Sequence, residues 1–149
     1  MGTAQAADVR GGSRMTDAQR CVAQACLAAA EADTMSFPQI IAALIAAGFE
    51  GYWVDYRTAT ATYYLSGGEG VTLAAHAVTA PIAARLDADA LREAIGEAQR
   101  QLAGYTYRGF CAKAVAAGCS SYLVSFPGRR ALYIGRDAAT HVEHFPDPT

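Results

Sequence analysis

At 149 residues the chain is long enough for one compact domain and short for two. Its 52% hydrophobic and 17% charged content argues against disorder. A net charge of −2, with Lys113 the only lysine, excludes a global attraction for nucleic acid or anionic lipid, and no run approaches the ~20 apolar residues of a membrane span. A soluble, cytoplasmic protein that contacts neither nucleic acid nor membrane is expected.

Residues 1–14 are small, polar and glycine-containing, without the apolar centre of a signal peptide, and read as a disordered leader; Met15 is a candidate functional start. Residues 15–149 read as one domain made of two repeats, about 16–76 and 87–145. The stretch Ala46-Ala47-Gly48-Phe49-Glu50-Gly51-Tyr52-Trp53-Val54 returns as Ala116-Ala117-Gly118-Cys119-Ser120-Ser121-Tyr122-Leu123-Val124, an offset of 70 that also pairs Asp17 with Asp87, Phe37 with Tyr107 and Tyr63 with Tyr133.

In the first copy Thr16 and Gln19 form a capping box for a helix running to about Ala32. Ser36 and Gln39 form the next box, for a helix that buries Ile40, Ile41, Leu44 and Ile45 and stops at Gly48. The period then changes from 3.6 to 2, with Tyr52, Val54 and Tyr56 on one strand face and Trp53, Asp55 and Arg57 on the other. A second strand is predicted around Tyr63 and a third over Val71 to His76, followed by a connector over Ala77 to Arg85 that contains Pro81. In the second copy Asp87 caps a helix with the stripe Leu91, Ile95 and Leu102, ended by Gly104. Thr106 caps the next helix, which Gly118 stops. A strand over Tyr122 to Phe126 leads into Pro127-Gly128, suited to a type II turn. Strands near Tyr133 and over His141 to Phe145 complete the copy. The expected fold is α+β: a duplicated helix-helix-strand-strand(-strand) unit forming a mostly antiparallel sheet with helices packed on one face. Neither copy, at about 60 residues, would comfortably bury its own sheet face, so the two should share one core.

The segments Phe37-Pro38, Ala47-Gly48-Phe49-Glu50-Gly51-Tyr52, Asp55-Tyr56-Arg57, Thr62-Tyr63-Tyr64 and the ending His141-Val142-Glu143-His144-Phe145-Pro146 resemble the YbcV-like family of uncharacterised bacterial and prophage proteins, often labelled "phage envelope protein". The resemblance spans Met15 to Phe145. It implies a phage-related origin and carries over no activity. The envelope label fits poorly, since the sequence shows no membrane segment, signal or fibrous repeat.

The chemistry-bearing residues are few. His76, His141 and His144 are the only histidines, all in or beside the third strands. His141 and Glu143 share a strand face and supply two metal ligands; a site needs three or four, so His76 or Asp55 would have to join them. Asp55, His76, His141 and Glu143 form a candidate catalytic acid–base group. Tyr52, Trp53, Arg57, Tyr63 and His144 are candidate ligand-binding residues, and the strand tyrosines in general suit an amphipathic ligand cleft. Beside each stands a plainer reading: surface histidines, a solvated Asp–Arg pair, tyrosines packed in the core. Arg129, Arg130 and Arg136 flank the second hairpin, and Ser66-Gly67-Gly68-Glu69-Gly70 lacks the Lys-Ser/Thr of a phosphate loop. Cys21, Cys26, Cys111 and Cys119 show no CxxC pair and read as small buried hydrophobes. The sequence therefore favours a non-enzymatic binding or regulatory module, a homodimer without a cofactor whose partner is a small ligand or protein. The alternative is a small hydrolase or isomerase using Asp55 and the histidines, with a divalent metal on His141, Glu143 and His76.

Overall fold

The computed structural model describes residues 14–146; most of the leader expected over residues 1–14 lies outside them. Within that span the order is α1 (Asp17–Ala32), α2 (Phe37–Ala46), β1 (Phe49–Asp55), β2 (Thr60–Leu65), β3 (Gly70–Ala74), α3 (Ala88–Arg100), α4 (Tyr107–Ala116), β4 (Cys119–Ser125), β5 (Arg130–Gly135) and β6 (Thr140–His144). The fold is α+β, with four helices packed on a six-stranded antiparallel sheet. No helix among the described residues is long and apolar enough to cross a membrane.

Caps set the helix starts. Thr16 with Gln19 and Ser36 with Gln39 form reciprocal capping boxes, and the side chains of Asp87 and Thr106 accept from the backbone N–H of Ala90 and Gly109. After α2 and α4 the chain turns sharply at Gly48 and Gly118, both at positive φ. Gly118 has a second reason to be glycine. A Cβ there would lie 2.2 Å from the carbonyl oxygen of Arg85, so the connector can close over the end of α4 only on a residue without a side chain.

The strand order is β3-β2-β1-β4-β5-β6. β1 pairs antiparallel with β4 so that Trp53 faces Leu123, two residues 70 apart, and a local twofold axis passes between them. From α2 onward each element of the second half begins 70 residues after its counterpart. Tyr52, Val54, Ala61 and Tyr63 are buried on the helix-covered face, joined from the second half by Tyr122, Val124, Ala131 and Tyr133. Alternation puts Trp53, Asp55, Leu123, Leu132, Ile134 and Val142 on the opposite face.

The helices preceding α2 and α4 depart from the offset of 70. Asp17 is the first residue of α1, whereas Asp87 is the N-cap of α3, so the two do not correspond. Their buried stripes align at 68: Ala23 with Leu91, Cys26 with Ala94, Leu27 with Ile95. The left-handed caps Asp33 and Gln101 keep that spacing, and the longer loop before Thr106 restores 70. Gly104 therefore lies in a loop beyond the helix it was expected to end, and Leu102, expected in the stripe, is 46% exposed. The β4–β5 turn is also not type II: Gly128 has no positive φ, and the left-handed residue is Arg129, counterpart of Ala59. β3 ends at Ala74, which leaves His76 in the connector.

Candidate functional site

Where the helices and sheet meet near the local axis, they enclose an open cavity of about 630 Å³. Seven of the chain's eight tyrosines line it: Tyr52, Tyr56, Tyr63, Tyr105, Tyr107, Tyr122 and Tyr133. Strand alternation explains Tyr52, Tyr63, Tyr122 and Tyr133, all on the helix-covered face. Tyr56 arrives by another route. β4 carries a bulge between Cys119 and Ser121, and the Ser120 carbonyl accepts the Tyr56 N–H at 2.9 Å, extending β1 by one residue toward the cavity. The matching bulge in β1 lets the Glu50 carbonyl accept the Phe126 N–H, also at 2.9 Å. Tyr105 and Tyr107 come from the start of α4.

Burial holds these phenols neutral. The pKa values of Tyr52, Tyr56, Tyr107 and Tyr122 are raised far above the usual value, chiefly by desolvation. Those of Tyr63 and Tyr133 are raised for the same reason, with Glu31 and Glu143 respectively adding repulsion. Tyr105, less enclosed, is pushed up to about 12 by desolvation first, then by Cys111 and Asp33. Burial likewise raises the Cys111 thiol, an effect the Tyr56 and Tyr107 hydroxyls oppose.

The hydroxyls differ in their partners. Tyr107 Oη and Tyr122 Oη lie 2.7 Å apart and satisfy one another. Tyr56 Oη is, among the described residues, the one fully buried side-chain nitrogen or oxygen without a hydrogen-bond partner; the Cys111 thiol faces it outside good hydrogen-bond geometry. Around this polar end stand two carboxylates. Asp33 Oδ1 accepts the Tyr107 N–H at 2.8 Å, and Glu31 Oε2 accepts the His76 N–H at 2.7 Å. At the other end Phe37 packs edge-on against Phe145 at 5.7 Å, with Glu143 and His144 nearby in the lining.

The structure divides the sequence-selected residues. Tyr52, Tyr63, Asp55, His76, Glu143 and His144 line the cavity, whereas Trp53, Arg57 and His141 do not. Asp55 Oδ1 accepts the Arg57 and Thr58 N–H groups at 2.8 and 3.4 Å, a turn cap; its counterpart Ser125 does the same for Gly128 at 3.0 Å. Trp53 lies on the uncovered face. His141 Nε2 sits 3.1 Å from Glu143 Oε1 on the edge strand β6, where His141 pairs with Tyr133. His76 is on the connector after the opposite edge strand and contributes its backbone to Glu31. Among the described residues no three His, Cys, Asp or Glu side chains gather into a metal-binding group, so His141, Glu143 and His76 do not combine as the metal reading required.

The flanking arginines serve structure. Arg129 donates to the Pro146 carbonyl at 2.9 Å and lies 6.0 Å from the Phe145 ring centre, and Arg136 donates to the Ile82 carbonyl of the connector at 2.9 Å. Sequence reasoning missed Tyr105, Tyr107 and Cys111 as site residues. A signal was present, because their counterparts at offset 70 are Met35, Phe37 and Ile41: polar groups stand in one half where the other half is apolar. No protein-family model matches the chain, and no curated protein matches it.

Proposed function

We propose that the protein is a binding module that takes one amphipathic small molecule into the tyrosine-lined cavity. The observation that carries this reading is the buried Tyr56 hydroxyl, unpartnered beside a cavity of about 630 Å³. A buried hydroxyl left without a partner costs about 1–3 kcal/mol, and because a phenol both donates and accepts, a polar or charged group of a ligand would recover part of it. The cavity volume is within the range of small-molecule sites, and its wall is mostly apolar with a few convergent polar groups. Binding is favoured over hydrolysis because the one sequence-selected carboxylate on a central strand, Asp55, is engaged as a turn cap.

Nile red, an uncharged amphipathic dye, is a direct probe. It should bind one per chain with a saturable rise in fluorescence, and Ala30→Phe or Ala98→Phe, which project a ring into the cavity, should abolish that rise while the far-ultraviolet circular dichroism is retained. No saturable signal, or one that survives both substitutions, would overturn the reading.

The homodimer and cytoplasmic setting expected from the sequence belong to the same proposal. Its dimer contact is the uncovered sheet face, where Trp53 and Leu123 flank the local axis and Val142 is 40% exposed. A patch with internal twofold character suits an isologous contact. Sedimentation should show a dimer that Trp53→Glu dissociates; a monomeric parent protein at ~100 μM would rule this contact out, since its Kd would then exceed ~100 μM, an association free energy weaker than about −5.5 kcal/mol.

A further inference from the structure

We infer that the cavity's natural ligand is an organic cation, an amine or quaternary ammonium joined to an apolar or aromatic body. The inference rests on the cavity being a binding site and adds the ligand's charge and orientation. At the polar end Glu31 and Asp33 stand beside Tyr56, Tyr107 and Cys111. The one guanidinium in the lining is that of Arg108, against the carboxylates of Glu31 and Asp33 and, on the opposite edge strand, that of Glu143.

The two halves differ in the same direction. Glu31 and Asp33 correspond, at the offset of 68, to the uncharged Gln99 and Gln101. Two of the lining carboxylates thus stand on the side of the axis that carries the unmatched hydroxyls, where the other half has neutral amides. Each of the two accepts a backbone N–H with one oxygen, and neither Glu31 nor Asp33 has an ion-pair partner among the described residues.

Two physical effects then select a cation. Aromatic faces attract a positive charge placed within about 6 Å of the ring centre, more strongly when water is excluded. The carboxylates add attraction that bulk water screens only partly at a cavity wall. An anion meets the opposite field, and a neutral molecule gains from neither. The Phe37–Phe145 end receives the apolar body, so the ligand lies with its charge toward Glu31 and Asp33.

Tetraphenylphosphonium, tetraphenylborate and triphenylphosphine oxide are cationic, anionic and neutral probes of similar shape, and calorimetry on the full chain separates the cases. The phosphonium should bind with a Kd below about 1 mM and at least about tenfold tighter than the oxide, with no detectable borate binding. Glu31→Gln and Asp33→Asn keep the backbone acceptors and the left-handed cap at Asp33. Together they should weaken phosphonium binding about tenfold and leave the oxide unchanged. Equal affinities for the three probes, tighter borate binding, absent phosphonium binding, or a double variant that leaves the phosphonium unaffected would each overturn the inference. Nile red separates this from failure of the binding reading itself: if the dye binds and the phosphonium holds no advantage, the cavity is a site and only its charge preference is refuted.

Discussion

Replacing Tyr56 by Phe removes one buried oxygen and leaves the ring in place. In the folded protein that oxygen has lost its water and gained no partner beyond the facing thiol, a weak one at best. In the unfolded chain it is hydrated. The substitution therefore relieves a desolvation cost of about 1–3 kcal/mol, and Tyr56→Phe should stabilise the ligand-free protein by about 1 kcal/mol once some residual hydration is allowed for. In a domain of this size that is a rise in melting temperature of about 2–4 °C. Tyr107→Phe is the control. It removes an oxygen that is partnered, at 2.7 Å from Tyr122 Oη, and strands the Tyr122 hydroxyl in a site where that residue is 4% exposed. It should cost about 1–2 kcal/mol, and the double substitution Tyr107→Phe with Tyr122→Phe should recover most of the loss, since both partners are then gone. Urea unfolding followed by circular dichroism measures all three. If Tyr56→Phe destabilises as much as Tyr107→Phe, the Tyr56 hydroxyl is satisfied in solution, and the observation on which ligand binding rests is lost. If instead it stabilises the protein and weakens Nile red binding, the hydroxyl is kept for a ligand at the expense of stability.

Gly118→Ala should cost about 2–4 kcal/mol, because positive φ strain adds to a 2.2 Å approach to the Arg85 carbonyl, whereas Gly48→Ala, whose nearest neighbour is the flexible Gln19 amide at 3.3 Å, should cost about 1–2; equal shifts in urea midpoint would refute the connector contact. Of the four cysteines, Cys21 is exposed and should react at once with a thiol reagent, while Cys26, Cys111 and Cys119, each with its pKa raised by burial and Cys119 to about 11, should react only as the protein opens. More than one fast thiol under native conditions contradicts the burial. The raised phenol pKa values also fix a pH dependence. A raised folded-state pKa contributes stability that is complete below the unfolded value near 10 and is lost as pH climbs toward the folded values, about 12 for Tyr105 and higher for the others. Phenolate absorbance from the cavity tyrosines should therefore rise together with the loss of circular dichroism above about pH 10; a rise of that absorbance while the dichroism holds would show the rings to be accessible in the folded state.

The element order was legible because its signals are local: each helix start carries its own cap, and each change of hydrophobic period follows a glycine turn. The 68-residue alignment of α1 with α3 was hidden because two residues enter the loop before Thr106, and matching Asp17 to Asp87 by residue type conflated a first helical residue with a cap. The cavity was hidden for a different reason. Periodicity assigns Tyr52, Tyr63, Tyr122 and Tyr133 to one strand face, but it cannot tell a face packed solid from one that helices only bridge. The histidines drew attention by rarity, and rarity carries no geometry; His76 and His141 ended on opposite edge strands or beyond them. What does carry geometry is the disagreement between the halves. Positions that must build the sheet and its turns agree, as at Gly48 and Gly118 or Tyr52 and Tyr122, because a twofold arrangement imposes the same packing twice. Positions freed from that requirement can diverge, and they do so together: Tyr56 against Phe126, Tyr105 against Met35, Tyr107 against Phe37, Cys111 against Ile41. Burying three hydroxyls and a thiol on one side of an axis whose other side is served by apolar side chains gives the core nothing that apolar packing would not supply at lower desolvation cost. The divergence is therefore the part of the sequence that packing does not explain, and it falls on the wall of one cavity.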